Sequence, residues 1–249
     1  MNFQIYNSLL ERSKQQGAAY FVLIDPDKIA SDKLPSFIEQ ATEAGVDAFL
    51  IGGSLIVDDS FERCIKTIKQ HTKIPAVIFP GGVMQISPSA DAILFLSIIS
   101  GRNPQHLIGD QVLAAPIVKR IGLEAISTAY MLIESGRTTS AEFMSNTQPL
   151  PRHKPDIAVA HAMAAEILGF KMIYLEAGSG AEESVPEEMI GAIAKHCSVP
   201  LIVGGGLRTP DDARKKVRAG ANFIVTGTVL ENNGSANLIK EFASAIHSK

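Results

Sequence analysis

The chain has 249 residues, 46% of them hydrophobic and 20% charged, which describes one ordinary domain with a sizeable core and excludes a disordered segment. Its net charge of −3 leaves no electrostatic footprint for nucleic acid. No apolar run is long enough to span a bilayer, the polar N-terminus has no signal-peptide pattern, and the only cysteines are Cys64 and Cys197, so a cytoplasmic protein in a reducing compartment is expected.

In chain order, the pattern predicts a short helix over residues 2–16, closing on Gly17. Residues 19–24 (Ala-Tyr-Phe-Val-Leu-Ile) read as a buried strand ending in Asp25-Pro26-Asp27-Lys28. A carboxylate on the last residue of a barrel strand points into the catalytic mouth. Asp25 is therefore a candidate metal ligand or base, with a turn aspartate as the alternative; Asp27 fits the turn role better. A helix over 35–44 follows. The second strand, 46–51, runs into Gly52-Gly53-Ser54. Ser54 would stand beside Asp25, and one carboxylate with one hydroxyl suits Mg²⁺, which keeps water and phosphate oxygens among its ligands. Capping the next helix, 58–69, is the other task open to Ser54.

The third strand, 74–79, leads to Pro80-Gly81-Gly82, and the fourth, 91–96, follows almost at once. Residues 83–90 are too few for a barrel helix, so that helix is expected to be missing or replaced by a loop. The gap would expose an apolar groove beside the strands, fit for a long apolar substrate. The loop at 97–104 carries Arg102, a candidate phosphate contact, and Asn103, a cap for the helix beginning at Pro104. A helix over 105–120 and a strand over 123–133 follow. Residues 134–155 form the longest irregular stretch, with Arg137, Arg152, His153 and Lys154. Such a stretch suits a lid over a diphosphate, or is merely a solvated loop. The alanine-rich helix at 156–168 carries His161, read as a packing residue.

The sixth strand, 170–175, runs into Glu176-Ala177-Gly178-Ser179-Gly180-Ala181. Tyr174 and Glu176 are two apart and share one face. A carboxylate beside a phosphate-binding turn would repel phosphate, so Glu176 is assigned to hold or deprotonate a hydroxyl of the same substrate. An ion pair with a lysine or arginine is the alternative. After a helix over 187–196, the seventh strand runs into Gly204-Gly205-Gly206-Leu207-Arg208, with a helix starting at Thr209 and Pro210 in its first position. The eighth ends in Thr226-Gly227-Thr228, and a helix over 237–247 closes the chain. Glycine turns after strands 7 and 8 are where a (β/α)8 barrel frequently builds a phosphate site. The expected fold is thus a (β/α)8 TIM barrel in one domain, 1–249, with its third helix shortened or replaced by a loop. Near-equal intervals between strands 2–3 and strands 6–7 echo one another, as two half-barrels would.

Taken together, Tyr174-Leu175-Glu176-Ala177-Gly178-Ser179-Gly180, the Gly204–Gly206 turn and Gly227-Thr228 resemble the glycerol-phosphate site of the geranylgeranylglyceryl phosphate synthase family, which includes bacterial heptaprenylglyceryl phosphate synthases. Leu23-Ile24-Asp25-Pro26 and Gly52-Gly53-Ser54 resemble its Mg²⁺ site, and Phe79-Pro80-Gly81 with residues 94–104 matches its middle section. One branch of the family carries a lysine where this chain has Leu23, which places the chain in the other branch, known for dimers and hexamers and for geranylgeranyl transfer. The resemblance implies an Mg²⁺-dependent prenyltransferase that joins geranylgeranyl diphosphate to the 3-hydroxyl of sn-glycerol 1-phosphate. It implies Mg²⁺ on Asp25 and Ser54, and Glu176 and Asp25 as catalytic groups. It also implies a glycerol-phosphate site of Tyr174, Leu175, Glu176, Ala177, Gly178, Ser179, Gly180, Gly205, Gly206, Gly227 and Thr228. A phosphosugar isomerase or aldolase-type barrel using the same phosphate site is the alternative; it would need a second acid/base or a Schiff-base lysine, and Lys28 and Lys171 are read as lying outside the strand tips. A non-catalytic phosphate-ligand binder is argued against by two carboxylates facing the mouth.

Overall fold

A computed structural model describes residues 3–56, 59–233 and 236–247. Helix α1 (Gln4–Gln16) precedes β1 (Ala19–Ile24), α2 (Leu34–Glu43), β2 (Ala48–Ile51), α3 (Ser60–His71), β3 (Ala76–Ile78) and β4 (Ala92–Ile98). A π-helical turn at Gln105–Gly109 opens α4 (Asp110–Ile121), followed by β5 (Glu124–Leu132), α5 (Ser140–Ser145) and α6 (Pro155–Ile167). The last third holds β6 (Met172–Glu176), α7 (Glu187–His196), β7 (Leu201–Gly204), α8 (Pro210–Ala219), β8 (Phe223–Thr226), α9 (Thr228–Asn233) and α10 (Ala236–Ile246).

The eight strands are parallel in sequence order, and β8 pairs with β1 to close the barrel. Strand alternation sorts the side chains into two layers. Phe21, Leu50, Leu94, Tyr174, Ile202 and Phe223 fill the interior. Tyr20, Val22, Phe49, Ile51, Leu175 and Val203 face the helices. Both faces are dry, which is why these strands read as unbroken apolar runs.

Helix α1 covers the N-terminal end of the barrel. Leu9 joins the interior cluster, with Ile5, Tyr6 and Leu10 against it. The Glu124 carboxylate, at the start of β5, accepts from the Ile5 and Tyr6 amides at 3.0 and 2.8 Å. It satisfies two of the unpaired donors at the helix start and complements the helix dipole there.

Between β3 and β4 there is no helix, as expected. Residues 79–91 are pinned instead to α3: Glu62 accepts from Ser87 and Ser89 at 2.5 and 2.8 Å, and Lys69 meets Asp91 at 2.7 Å. Three expectations need correction. Helix α3 starts at Ser60, so Ser54 does not cap it; Asp58, the expected start, lies outside the described residues. Glu176 is the last residue of β6 rather than the residue after it, because its carbonyl accepts from the Ile133 amide at 2.9 Å. The stretch after β5 contains α5, started by Thr139 accepting from the Glu142 amide at 3.3 Å; that Thr-x-x-Glu spacing was a legible helix start. Helix α9 is likewise an addition to the sequence reading.

Helix α8 begins as expected. Thr209 accepts from the Asp212 amide at 3.2 Å, Asp212 returns the bond to the Thr209 amide at 2.9 Å, and Pro210 takes the first turn. Thr209→Ala is expected to lower stability by about 1 kcal/mol, read as a shift of the urea midpoint with an unchanged slope.

Candidate active site

At the C-terminal mouth of the barrel lies a cavity of about 1090 Å³. That is just above the roughly 300–1,000 Å³ usual for small-ligand sites. It has a polar zone at the tips of β6, β7 and β8 and an apolar branch beside β3 and β4. Ile93 and Phe95 line the branch although both point outward from the barrel, joined by Ile86 and Ala114. The branch therefore runs outside the barrel wall, where a helix would otherwise lie.

Glu176 anchors the polar zone. It is only 5% exposed, and its carboxylate accepts from the Gly178 amide at 2.5 Å and from the hydroxyls of Tyr130 and Tyr174. Burial raises its pKa above the usual carboxylate value, and these three donors offset part of that rise. Burial, reinforced by the neighbouring carboxylate, pushes both tyrosines well above the ordinary phenol value, so they remain donors. Phe79 stacks on Tyr174 with ring centres 5.1 Å apart, and Tyr130 meets Tyr174 edge-on at 5.4 Å. Among the described residues no arginine or lysine pairs with Glu176, so the structure does not support the ion-pair alternative.

The turns beside it are built from glycine for steric reasons. Gly205 has φ +78°, and a Cβ there would lie 2.5 Å from both Glu176 Oε1 and the Gly178 nitrogen. Gly178 has φ +100°, and its Cβ would strike Thr139 Cγ2 at 2.3 Å. Bare backbone at both positions lets the turns after β6 and β7 close around the carboxylate. Across the zone the Ser179 and Thr228 hydroxyls are 2.9 Å apart. Gly178, Ser179, Gly180, Gly205, Gly206, Gly227 and Thr228 all line the cavity, as expected. Leu175 and Ala177 do not: alternation turns their side chains to the outer layer, and the Ala177 amide is taken by the Gly204 carbonyl at 3.0 Å.

On the opposite rim, Asp25, Gly53 and Ser54 line the cavity together. Asp25 Oδ2 meets the Lys28 ammonium at 3.0 Å. A Cβ on Gly53 would lie 3.0 Å from Asp25 Oδ1, so glycine keeps that face of the carboxylate open. A carboxylate, a nearby hydroxyl and open space fit a hard cation that draws its other oxygens from substrate and water. No cluster of three or more histidine, cysteine or acidic side chains gathers at this rim or anywhere else among the described residues. Asp27 accepts from Ser60 at 2.9 Å and tethers α3, consistent with its turn role.

Lys171 lies outside the strand tips, as expected, whereas Lys28 and Arg102 do not stand where expected. Lys28 reaches the cavity, since the turn after β1 folds back over its rim. Lys171 lies at the other end, over the Phe3 ring. Arg102 donates to the Gly101 carbonyl at 2.8 Å and approaches His161, away from the cavity lining. Arg152 is consumed by Glu183 at 2.9 Å, while Arg137, His153 and Lys154 do not line the cavity. The 134–155 stretch instead contributes hydroxyls and apolar groups: Thr138, Thr139, Ser140, Phe143 and Met144. Asn103 caps its helix, accepting from the Gln105 amide at 3.1 Å, and His161 bonds the Ile157 carbonyl on its own helix. Tyr130 and Gln85 had no role assigned in the sequence. Tyr130 shares the interior face with Ile126 and Leu132, a period-2 signal available in advance. Gln85 joins the loops after β2 and β3, donating to Gly53 O at 2.8 Å and accepting from Gly81 N at 3.0 Å.

Comparison with known proteins agrees with this geometry. A protein from Chitinophaga pinensis named geranylgeranylglyceryl phosphate synthase is 45% identical over 247 residues, covering 99% of this chain and 97% of that one. A protein of the same name from Thermococcus kodakarensis is 44% identical over 233 residues, covering 93% and 90%. Among solved structures, (S)-3-O-geranylgeranylglyceryl phosphate synthase from Thermoplasma acidophilum, in complex with its substrate sn-glycerol-1-phosphate, superposes with a TM-score of 0.92 at 32% identity, covering 99% of both chains. The PcrB family matches residues 11–246. With that match spanning the whole barrel and relatives this similar along their full lengths, the chain belongs to the PcrB family.

Proposed function

We propose that the protein transfers a geranylgeranyl group from its diphosphate to the 3-hydroxyl of sn-glycerol 1-phosphate, forming an ether and releasing pyrophosphate. The observation that carries this reading is one cavity holding a dry carboxylate beside a backbone cradle and, across from it, an apolar branch outside the wall. A small phosphorylated polyol fits the first zone and an isoprenoid the second. The relatives named for this activity support the same reading.

Backbone N–H groups at Ser179, Gly180, Gly205, Gly206, Gly227 and Thr228 hold the phosphate of the glycerol substrate. Glu176 orients the 3-hydroxyl and takes its proton as the new C–O bond forms and the allylic C–O bond to the diphosphate breaks. A carboxylate with a raised pKa is a better base for this task than an ordinary one. Tyr130 and Tyr174 keep that carboxylate aimed. Asp25 and Ser54 would hold Mg²⁺, which when bound would offset the charge of the departing diphosphate. Ile86, Ile93, Phe95 and Ala114 shelter the prenyl chain from water.

The same proposal includes self-association. Val112 and Leu113 on α4, Phe143 on α5, and Met163 and Ile167 on α6 are large apolar side chains left exposed, more than a surface of scattered single residues explains. We assign a second copy of the chain to cover them. No helix among the described residues is long and apolar enough to cross a membrane.

Glu176→Gln is expected to lower kcat by roughly 10²–10⁴-fold while KM for glycerol phosphate changes little; unchanged kcat removes Glu176 from the chemistry. In the wild type, activity needs the ionised carboxylate. It therefore falls as pH drops through the raised Glu176 pKa, on an acid limb above the usual carboxylate range, and Glu176→Gln should lose that limb. Asp25→Asn is expected to abolish both Mg²⁺-stimulated turnover and calorimetric Mg²⁺ binding in the presence of the prenyl diphosphate; retention of both places the ion elsewhere. Light scattering should give a mass that is a multiple of the 26.6 kDa chain, and a monomer at micromolar concentration contradicts the assigned cover.

A further inference from the structure

Lys216 on α8 is 3% exposed, and the chemistry above makes no use of it. Its ammonium donates to the Val185 carbonyl at 2.6 Å and meets Glu187 Oε1 at 2.7 Å. The carboxylate partner is half exposed, so the charge is buried mainly for the sake of a backbone carbonyl. Removing an ammonium from water is costly, and a methionine or leucine would fill the same space without that cost.

The carbonyl it holds belongs to residues 177–186, which have no regular secondary structure and form one half of the phosphate cradle. The fixing runs through adjacent residues. Val185 follows Ser184, and the Ser184 backbone lies against Gly206, where a Cβ would come within 3.0 Å of the Ser184 nitrogen. Gly206, at φ +70°, carries one of the amides assigned to the phosphate. Gly205 beside it closes on Gly178 and Glu176. Three residues before Val185 the segment is also held by Arg208, which donates to the Glu182 carbonyl at 3.1 Å. Lys216 thus fixes how closely the turns after β6 and β7 approach, and with it the spacing of the amides that face the anion.

We propose that Lys216 is a positioning residue for the phosphate of the small substrate, acting through the Val185 carbonyl. This rests on the functional reading above for the identity of that substrate, but not for the clamp itself. A cation buried against a main-chain carbonyl, one residue from the glycine cradle, sets binding of one substrate and leaves the other alone. The residues assigned to the prenyl branch, Ile86, Ile93, Phe95 and Ala114, belong to the β3–β4 side of the same cavity, and none of them is in the 177–186 segment.

The test is Lys216→Met, with both substrates titrated. KM for glycerol phosphate should rise roughly tenfold, a size typical of a displaced set of contacts, while KM for the prenyl diphosphate and kcat at saturation stay within twofold. An unchanged KM for glycerol phosphate overturns the proposal. So do parallel rises in both KM values with a fall in kcat, since that pattern marks a merely structural lysine. If Lys216→Met does not fold, Lys216→Arg carries the test, because a planar guanidinium cannot reproduce the ammonium's bond to the Val185 carbonyl; the same split is expected, with only the KM for glycerol phosphate raised beyond the twofold tolerance, and no split overturns the proposal. Amide exchange in the ligand-free protein tests the clamp independently of any substrate. Protection across residues 178–185 should fall in the variant relative to β1 and β2, and unchanged protection overturns the clamp. Wild-type protein that shows no calorimetric binding of glycerol phosphate overturns the functional reading instead, leaving the exchange result to decide the clamp.

Discussion

A carboxylate stripped of water at the end of β6 is the constraint around which the mouth of this barrel is arranged. Such a group is tolerated only if its lone pairs are met, and Glu176 is met by the Gly178 amide and two phenol hydroxyls. Each donor imposes something on the fold. The amide requires the chain to double back immediately after the strand, in a conformation that glycine adopts. The phenols require aromatic residues on the interior faces of β5 and β6, opposite one another in register as Tyr130 and Tyr174 are. The turn after β7 must then come in over the carboxylate with no side chain at all, which Gly205 allows.

The second constraint is topological. Omitting the helix between β3 and β4 removes cover from the outer faces of both strands. Apolar side chains there, Ile93 and Phe95 among them, would be wet unless something else lay across them. The loop that replaces the helix is not slack. Glu62 and Lys69 of α3 hold its serines and Asp91, so the groove has a fixed wall. Under the proposed function a long apolar ligand would complete the layer that the protein leaves open, driven by the same burial that drives the core.

Much of this was readable from the sequence, and the reasons differ by element. Strands flanked by glycine turns were legible because parallel strands buried on both faces have a distinctive composition. The missing helix was legible as a length, since eight residues cannot make one. Glu176, Asp25 and the glycine turns were legible as residues of the mouth because strand ends and the turns after them face that end of a barrel. The fate of the basic residues was not. Whether Arg152 faces a ligand or Glu183 depends on loop packing that no local pattern encodes, and Lys28 reaches the rim only because the turn after β1 folds back. Tyr130 stood in an interior strand position among apolar neighbours, and nothing nearby marked it as a partner of a residue some forty positions later. Lys216 drew no role from the sequence, its burial being decided by the segment before α7.

The stopper formed by α1 under the barrel has a bearing on traffic. Above it the barrel interior is packed with side chains, so arrival and departure both take place on the side of the mouth. Under the proposed chemistry the ether product keeps the phosphate head of one reactant and the hydrocarbon tail of the other, so it is gripped at both ends, whereas each reactant was gripped at one. Its escape must loosen two holds in succession, where either reactant leaves by loosening one.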